Sequence, residues 1–278
     1  MKRELKKLTR DLAAWLAVQD ENLLEPVERA GQVSFATNIE SVEDLAAETE
    51  KNESIASAEK TLYQSYKERN MEPAKKMRLE NLKEKVVSCR GCPLGAHRLN
   101  AVFGTGSANA RIMFVGEGPG FQEDHQGEPF VGRSGQLLDR IIETVLGLNR
   151  PDVYIANIVK CHPMKNPENP EAHSNDRPPS ADEISVCRHY LEEQIRIIQP
   201  LCLVPLGSVA AKFLLKTDTG ISMLRGKIYD YEADIPGLDR KIKIIPTYHP
   251  AALLRNQNLK RDTWYDMKLV KSLLDSAT

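Results

Sequence analysis

The chain has 278 residues, 41% of them hydrophobic and 28% charged, which is enough for one α/β domain with a sizeable core and an appendage. No run of eighteen apolar residues occurs and the start is charged, so we predict neither a membrane span nor secretion and expect a cytoplasmic protein. The net charge of -1 excludes a chain that is basic overall, so any surface for nucleic acid has to be local.

The N-terminal part, residues 1–80, is more acidic than the rest, with 13 Lys and Arg against 16 Asp and Glu. Apolar residues at helical spacing predict a helix over residues 1–25. Residues 26–80 contain few large apolar residues and much Glu, Ala, Ser, Asn and Lys, so we expect a tether with transient helix there. Helical spacing returns over 71–88 and predicts the helix that opens the folded domain, which we place at 81–278.

Strand and helix patterns alternate from residue 111 onwards. Short apolar runs predict four strands, at 111–115, 153–159, 201–206 and 243–246. Helical spacing predicts three helices, at 135–146, 181–198 and 208–215. This alternation predicts a mainly parallel sheet with helices on both faces. Ligands bind beyond the carboxyl ends of such strands, so we expect the loops that begin at Gly116, Asn157 and His249 to converge on one pocket.

The loop after the first predicted strand is rich in glycine. Glycines at 116, 118 and 120 let backbone N–H groups approach a ligand closely, and a helix N-terminus follows near Ser134. Phe130 lies among glycines and charged residues, where it is a candidate platform for stacking on a flat ring. The alternatives are an ordinary glycine-rich turn and a core phenylalanine.

A second unusual loop contains His249, which follows the last predicted strand, with Pro250 fixing the chain behind it. A single histidine at the end of a strand is more often structural than catalytic. The residues that follow are more telling, because Leu253 and Leu254 beside Arg255 are typical of an apolar wedge with a phosphate contact, as in proteins that unstack DNA.

The chain has five cysteines, an odd number without a recognisable secretion signal, which argues against a disulfide framework. Cys89 and Cys92 form a C-x2-C pair, and Cys161 and Cys187 can complete a set of four. Four cysteines suit tetrahedral zinc and an iron–sulfur cluster equally well. Cys202 lies inside an apolar run and is best interpreted as a buried core thiol, an alternative that also applies to Cys187.

Four segments of the chain together resemble family 4 uracil-DNA glycosylases. They are Gly-Glu-Gly-Pro-Gly at 116, Gly-Glu-Pro-Phe-Val-Gly-Arg-Ser-Gly-Gln-Leu-Leu at 127, Ile-Ala-Asn-Ile-Val-Lys-Cys at 155 and Tyr-His-Pro-Ala-Ala-Leu-Leu-Arg at 248. The resemblance runs from Cys89 to Leu274 and implies a three-layer α/β/α sandwich with a central, mainly parallel sheet. Residues 1–80 lie outside it, as a helical or disordered extension.

The resemblance also implies a [4Fe-4S] cluster on Cys89, Cys92, Cys161 and Cys187. The segment between the last two cysteines is longer than the family usually has, and its Asn, Pro and Glu content fits a surface loop that costs little in closure entropy. A related group that bonds covalently to its uracil product carries a histidine-bearing loop in this area. The residues around His173 do not match that group's basic motif, so we expect ordinary hydrolysis.

The implied enzyme flips uracil out of DNA and hydrolyses its N-glycosidic bond, which starts base excision repair. Negative charge grows on the departing base, so we expect a neutral His249 to donate a hydrogen bond at the uracil O2 side. Asn157 is expected to bind the uracil edge with both its N–H and its C=O, which distinguishes uracil from cytosine. Phe130 would stack on the base, and backbone groups of Gly118 and Pro119 would line the pocket.

Glu117 stands where other glycosylase families keep a water-activating Asp or Asn, so we expect it to position water or to stabilise charge on the sugar. A structural role at the turn is the alternative. We expect a monomer that binds uracil-containing DNA, single- or double-stranded, and no membrane, with residues 1–80 available to a repair or replication protein. Two rival classes are a non-catalytic iron–sulfur module, DNA-binding or polymerase-associated, and an electron-transfer protein.

Overall fold

The structure is a computed structural model that describes residues 72–172, 174–233 and 241–277. The helix predicted over 1–25 lies outside the described residues, as do most of the predicted tether and His173. The described chain opens with helix α1 (72–88), which confirms the helix predicted over 71–88. It begins before residue 80, where we ended the N-terminal segment, and Leu79 is already buried in the core.

The centre of the fold is one six-stranded sheet with the order β1-β3-β2-β4-β6-β5. Its strands are β1 (Thr105–Gly106), β2 (Ile112–Gly116), β3 (Tyr154–Asn157), β4 (Cys202–Pro205), β5 (Tyr229–Asp230) and β6 (Lys243–Ile244). The four central strands run parallel, and the two edge strands pair antiparallel to their neighbours. The predicted mainly parallel sheet is confirmed, whereas the two edge strands, each of two residues, were not predicted.

Eight further α-helices connect and cover the strands in the described part of the chain. They are α2 (Leu94–His97), α3 (Phe121–Gln126), α4 (Arg133–Ile141), α5 (Ala181–Ile198), α6 (Ser208–Leu215), α7 (Ile221–Leu224), α8 (Pro250–Arg255) and α9 (Leu259–Ser276). A π-helical turn, Ile142–Leu146, extends α4. None of the helices in these residues is long and apolar enough to cross a membrane.

Helix α5 has the predicted bounds because its start carries a strong local signal. Ser180 Oγ accepts a hydrogen bond from the Glu183 backbone N–H at 3.2 Å, and Glu183 Oε2 accepts one from the Ser180 backbone N–H at 2.7 Å. This reciprocal pair satisfies two donors that a helix N-terminus otherwise leaves open. The segment before α5 is thereby anchored at a defined position in the fold.

Two hydrophobic cores lie on the two faces of the sheet, since side chains alternate along each strand. In β2, Met113 and Val115 join one core while Ile112 and Phe114 join the other. Residues of α1, α5 and α6 complete the first core, and residues of α4, its π-helical turn and α9 complete the second. The predicted three-layer α/β/α sandwich is therefore confirmed for the described residues.

Candidate active site

The carboxyl ends of β2 and β3 and the loop after β6 open into one pocket of about 540 Å³. Gly116 pairs in register with Asn157, so the loops that follow these two strands start side by side. All six residues predicted to bind uracil line the pocket: Glu117, Gly118, Pro119, Phe130, Asn157 and His249. The structure thus brings together the three loops that sequence analysis expected to converge.

Asn157 ends β3 at the floor of this pocket, with its side chain 2% exposed. Its Oδ1 has no hydrogen-bond partner among the described residues. A Cβ atom on Gly116 would lie 2.2 Å from Asn157 Oδ1 and 2.8 Å from the Phe130 ring, so only glycine permits this arrangement. A buried amide oxygen without a partner is costly, and a bound ligand can supply the missing donor.

Phe130 is buried at the side of the pocket and adopts a left-handed backbone conformation with φ 53°. Such a conformation is uncommon for a bulky residue and points to a functional constraint. The next two backbone N–H groups, of Val131 and Gly132, donate to Glu123 Oε1 at 3.0 and 3.2 Å. Glu123 therefore positions Phe130, a role that sequence analysis missed although Gly120 and Glu123 have the spacing of a helix-capping pair.

His249 caps the N-terminus of α8, and its ring lies 5.5 Å from the Phe130 ring. Its Nδ1 accepts a hydrogen bond from the Ala251 backbone N–H at 3.1 Å, so the proton of the neutral ring is on Nε2. Burial lowers the pKa of His249 to about 4, and the positive charge of Arg255 acts in the same direction. The imidazole is therefore a neutral N–H donor at physiological pH.

Glu117 follows β2 directly and lines the pocket as a partly exposed carboxyl group. Burial raises its pKa from the ordinary value, because desolvation disfavours the charged form. Its backbone carbonyl accepts from the Val159 N–H at 3.2 Å, which ties the two loops together. A carboxylate with a raised pKa is a stronger base than an ordinary one.

The segment between Cys161 and α5 forms another wall of the pocket. Four consecutive residues of it line the opening: Asp176, Arg177, Pro178 and Pro179. The expected surface loop is fully or partly exposed over most of its described residues, but its end is anchored, because Asn175 is buried and the Arg177 guanidinium forms two hydrogen bonds to Glu183, at 2.8 and 2.7 Å. These bonds connect the segment to the first turn of α5.

His162 anchors the same segment from inside the protein. Its side chain is fully buried, and Nε2 lies 2.7 Å from Asp176 Oδ1, while Asp124 Oδ2 is 3.7 Å from Nδ1. Sequence analysis missed both aspartates, although a histidine directly after a candidate ligand cysteine is a signal that could have been followed. The result is a pocket wall held by buried polar contacts.

The predicted wedge residues lie on the short helix α8 but in different environments. Leu253 is 1% exposed and belongs to the core, whereas Leu254 is 38% exposed and Arg255 is exposed. A side chain buried in the free protein cannot fill the space that a flipped base leaves, so Leu253 does not fit the wedge role that we predicted. Leu254 and Arg255 remain available to DNA.

Four of the five cysteines line one cavity: Cys89, Cys92, Cys161 and Cys187. Cys202 instead lies in β4 and belongs to the core on the opposite face of the sheet. The Arg98 guanidinium donates to Cys161 Sγ at 3.0 Å, and burial raises the pKa of Cys161 to about 11. In the described part of the chain, no three Cys, His, Asp or Glu side chains are arranged to hold a single metal ion.

Lys160 connects the cysteine cavity to the pocket. It is 1% exposed, lines the cavity, and donates from Nζ to the Asn157 carbonyl at 2.8 Å and to Gln194 Oε1 at 2.7 Å. A lysine is almost never fully buried without such partners. Sequence analysis missed it, because nothing in the motif shows that its side chain turns inward.

Comparison with known proteins agrees with this geometry. Residues 103–269 match the uracil DNA glycosylase superfamily. The type-4 uracil-DNA glycosylase of Sulfurisphaera tokodaii is 42% identical over 70% of this chain and 84% of its own length, and that of Saccharolobus solfataricus is 41% identical over 71% and 87%. The Thermotoga maritima type-4 enzyme is 41% identical over 70% of this chain and 94% of its own length. The chain therefore belongs to the uracil-DNA glycosylase superfamily, within the type-4 uracil-DNA glycosylases.

Proposed function

We propose that this protein removes uracil from DNA by flipping the nucleotide into the pocket and hydrolysing the bond between uracil N1 and the deoxyribose. The observation that carries the proposal is Asn157, a buried amide at the floor of the pocket whose Oδ1 has no partner among the described residues. Uracil presents one N–H donor between two carbonyl acceptors, and an amide offers a matching acceptor and donor. Cytosine has an acceptor where uracil has its N3–H donor, and an amino donor where uracil has the O4 acceptor. In the pose that binds uracil, the Asn157 amide would therefore face cytosine with an acceptor against an acceptor and a donor against a donor.

Phe130 and His249 complete the recognition of the base. The Phe130 ring offers a flat apolar surface for stacking on uracil. Stacking alone accepts any base, so the discrimination between bases is left to Asn157. The His249 Nε2–H is a fixed neutral donor near that ring, and we place it at the uracil O2. Negative charge on the leaving base grows as the bond breaks, so this donor binds the transition state better than the substrate.

The proton of His249 stays on the ring throughout this step. With a pKa of about 4, the imidazole is already neutral, and the hydrogen bond from Ala251 to Nδ1 keeps the remaining proton on Nε2. Its contribution is therefore electrostatic, and a preorganised donor of this kind is typically worth about 3 to 4 kcal/mol. Uracil leaves as an anion held by hydrogen bonds.

We assign to Glu117 the water that attacks the sugar. As a carboxylate it can orient that water, accept its proton and stabilise positive charge on the deoxyribose. Burial raises the pKa of Glu117, which strengthens it as a base. A structural role at the turn predicts instead that its charge state has no effect on the rate.

We assign the contact with the DNA strand to Leu254 and Arg255. Leu254 is the exposed apolar side chain on α8, and Arg255 carries a positive charge next to it. Inserting an apolar side chain between bases offsets part of the cost of unstacking, and an arginine can hold the neighbouring phosphate. The helix also begins at His249, so the wedge and the leaving-group donor belong to one short element.

We further propose that Cys89, Cys92, Cys161 and Cys187 hold a [4Fe-4S] cluster. Four thiols line one cavity, and four thiolates suit tetrahedral zinc as well as a cluster, so the choice of iron rests on the resemblance to family 4 uracil-DNA glycosylases. Buried thiolates need compensating positive charge, and the Arg98 guanidinium, which donates to Cys161 Sγ, would supply it. Hydrolysis of the N-glycosidic bond involves no oxidation or reduction, so the cluster would connect the protein segments that hold it and take no part in the reaction.

The test is release of uracil by the purified protein. A 5′-labelled oligonucleotide with one uracil is incubated with the protein and treated with alkali, and strand scission at that position is measured. Matched oligonucleotides with cytosine or thymine at the same position and the His249→Ala protein are the controls. Scission for uracil alone supports the proposal. A protein that contains iron and binds DNA but gives no scission would contradict it and favour the non-catalytic module.

A further inference from the structure

The outward side of α9 carries two neighbouring aromatic side chains. Trp264 is 45% exposed and Tyr265 is 58% exposed, with their ring centroids 5.1 Å apart in an edge-to-face arrangement. The Lys268 ammonium lies 5.0 Å from the centroid of the Trp264 ring. Large aromatic side chains exposed side by side on a helix are characteristic of a surface that meets a partner.

Over residues 260–268 of this helix, the exposed charged side chains are all positive. Lys260, Arg261 and Lys268 are exposed, and none of them forms an ion pair within the described residues. The two acidic residues of the same stretch are paired with Arg225: Asp266 is buried and lies 2.8 Å from it, and Asp262 is 34% exposed and lies 3.6 Å from it. We call Lys260, Arg261, Trp264, Tyr265 and Lys268 the α9 outer face.

The inward side of α9 makes polar contacts with the segment just before His249. Asp266 Oδ2 accepts a hydrogen bond from Thr247 Oγ1 at 2.7 Å, two residues before His249. The Arg225 guanidinium, which binds Asp262 and Asp266, also lies 5.5 Å from the centroid of the Tyr248 ring. Helix α9 is therefore fastened to the loop that presents His249.

We propose that the α9 outer face binds the DNA strand next to the target uracil, with its cations on phosphates and an unpaired base stacked on Trp264 or Tyr265. The proposal rests on the function proposed above, because that function brings DNA to the pocket. Charge complementarity selects a polyanion, and exposed aromatic rings among cations are the combination that binds single-stranded nucleic acid. A stacked base must be unpaired, so this face contributes most to single-stranded substrate.

The α9 outer face and Leu254 are therefore expected to differ in the substrates for which they matter. The wedge residue helps where a base has to be extracted from a duplex, so its effect is largest for a U:A pair and smallest for single strands. The aromatic pair offers its stacking surface to a base that is already free. Leu254→Ala and Trp264→Ala should consequently show opposite substrate preferences.

The experiment measures binding of the full-length protein to uracil-free oligonucleotides, single- and double-stranded, as a function of salt concentration. Variants are Trp264→Ala, the double variant Lys260→Ala with Arg261→Ala, and Lys85→Ala as an exposed cation on α1 for control. We expect the double variant to reduce the salt slope on single strands by about 1.4, since each phosphate contact contributes about 0.7. Trp264→Ala should weaken single-strand binding about tenfold and duplex binding less.

Fluorescence gives an independent readout, because the chain has only two tryptophans, Trp15 and Trp264. In a Trp15→Phe protein, single-stranded DNA should quench the remaining emission. Unchanged melting temperatures would show that the variants are folded. Binding and salt slopes equal to those of Lys85→Ala would overturn the proposal, as would the absence of quenching. Because these assays use uracil-free DNA, they remain decisive even if the wild-type protein releases no uracil, an outcome that would refute the proposed function alone.

Discussion

The uracil pocket and the cysteine cavity lie on either side of one short stretch, Asn157 to Cys161, and they are built in opposite ways. The pocket is open and leaves Asn157 Oδ1 without a partner among the described residues. The cavity is lined by thiols, and its two basic side chains donate hydrogen bonds to thiol, carbonyl and amide groups, Arg98 to Cys161 Sγ and the Val87 carbonyl, and Lys160 to the Asn157 carbonyl and Gln194 Oε1. Unsatisfied groups mark the place where a substrate binds and leaves, whereas satisfied groups mark a permanent structural centre.

The difference has a mechanical consequence, because Lys160 touches both regions. Its Nζ donates to the Asn157 carbonyl while its side chain lines the cysteine cavity, so the cavity supports the end of β3 that carries Asn157, the amide that we propose reads the base. We expect damage to the cavity to affect the whole protein and damage to the pocket to affect catalysis alone. The predictions below test that separation, from the largest expected effect to the smallest.

Loss of one cavity thiol should have the largest effect. Cys161→Ser is expected to lose iron, most soluble protein and all measurable excision, because a metal centre that joins several segments contributes folding free energy. Iron content, visible absorption and yield measure this. Cys202→Ser is the matched control, since Cys202 is equally buried but on the opposite face of the sheet, and it should retain its iron. If Cys202→Ser loses iron and Cys161→Ser does not, our ligand set is wrong.

Removal of the charge on Glu117 should affect the pocket alone. Glu117→Gln is expected to lower single-turnover excision by about two to four decades while iron content stays unchanged. In the wild type, the rate should fall as the pH drops through the raised pKa of Glu117, above the ordinary 4.5, because protonation removes the base. Burial keeps His249 neutral down to about pH 4, so it does not add a step near pH 6.5. If the rate of Glu117→Gln falls at low pH in the same way as that of the wild type, the group that titrates is not Glu117.

Removal of His249, the proposed leaving-group donor, should lower the excision rate somewhat less than the Glu117 variant does. His249→Ala is expected to lower single-turnover excision by about two to three decades, as the loss of one preorganised donor does, with iron content and DNA affinity largely retained. Rapid-quench measurements at saturating protein isolate this step from binding. A rate equal to that of the wild type would remove His249 from the mechanism.

A methyl group inside the pocket should have the smallest effect of this series. In Gly116→Ala the new Cβ would meet Asn157 Oδ1 at 2.2 Å and the Phe130 ring at 2.8 Å, so both side chains have to shift. A displacement of about 1 Å at a reacting centre can cost about a hundredfold in rate. Excision should fall by about ten- to a hundredfold while the cluster absorption is unchanged. Loss of the visible spectrum together with activity would show that the two regions are not separable.

Much of the fold followed from the sequence, because its local signals are strong. Helix α5 was predicted with its observed bounds from helical spacing, and the central strands were predicted from their apolar runs. The two edge strands were missed because two residues are too few to show a period. Family, enzyme class and fold were predicted correctly from four motifs.

The candidate site was predicted less completely, for a physical reason. Residues that follow or end a strand, such as Asn157 and His249, can be predicted from their position in a motif. Glu123 and Lys160 cannot be recognised in this way, because no sequence pattern shows which groups their long side chains reach. Leu253 was misassigned because two adjacent leucines on a short helix give no indication of which one faces the core.

The central claim is that Asn157 reads the base, and the sharpest test compares uracil with cytosine. Single-turnover release of each base is measured from otherwise identical single-stranded oligonucleotides, with the wild type and with Asn157→Asp. The account predicts that the wild type releases uracil and no measurable cytosine. It predicts that Asn157→Asp releases uracil at least a hundredfold more slowly, because a carboxylate cannot donate a hydrogen bond to uracil O4. The variant should also lose most of the preference for uracil over cytosine. A variant that keeps the wild-type preference for uracil would contradict the account.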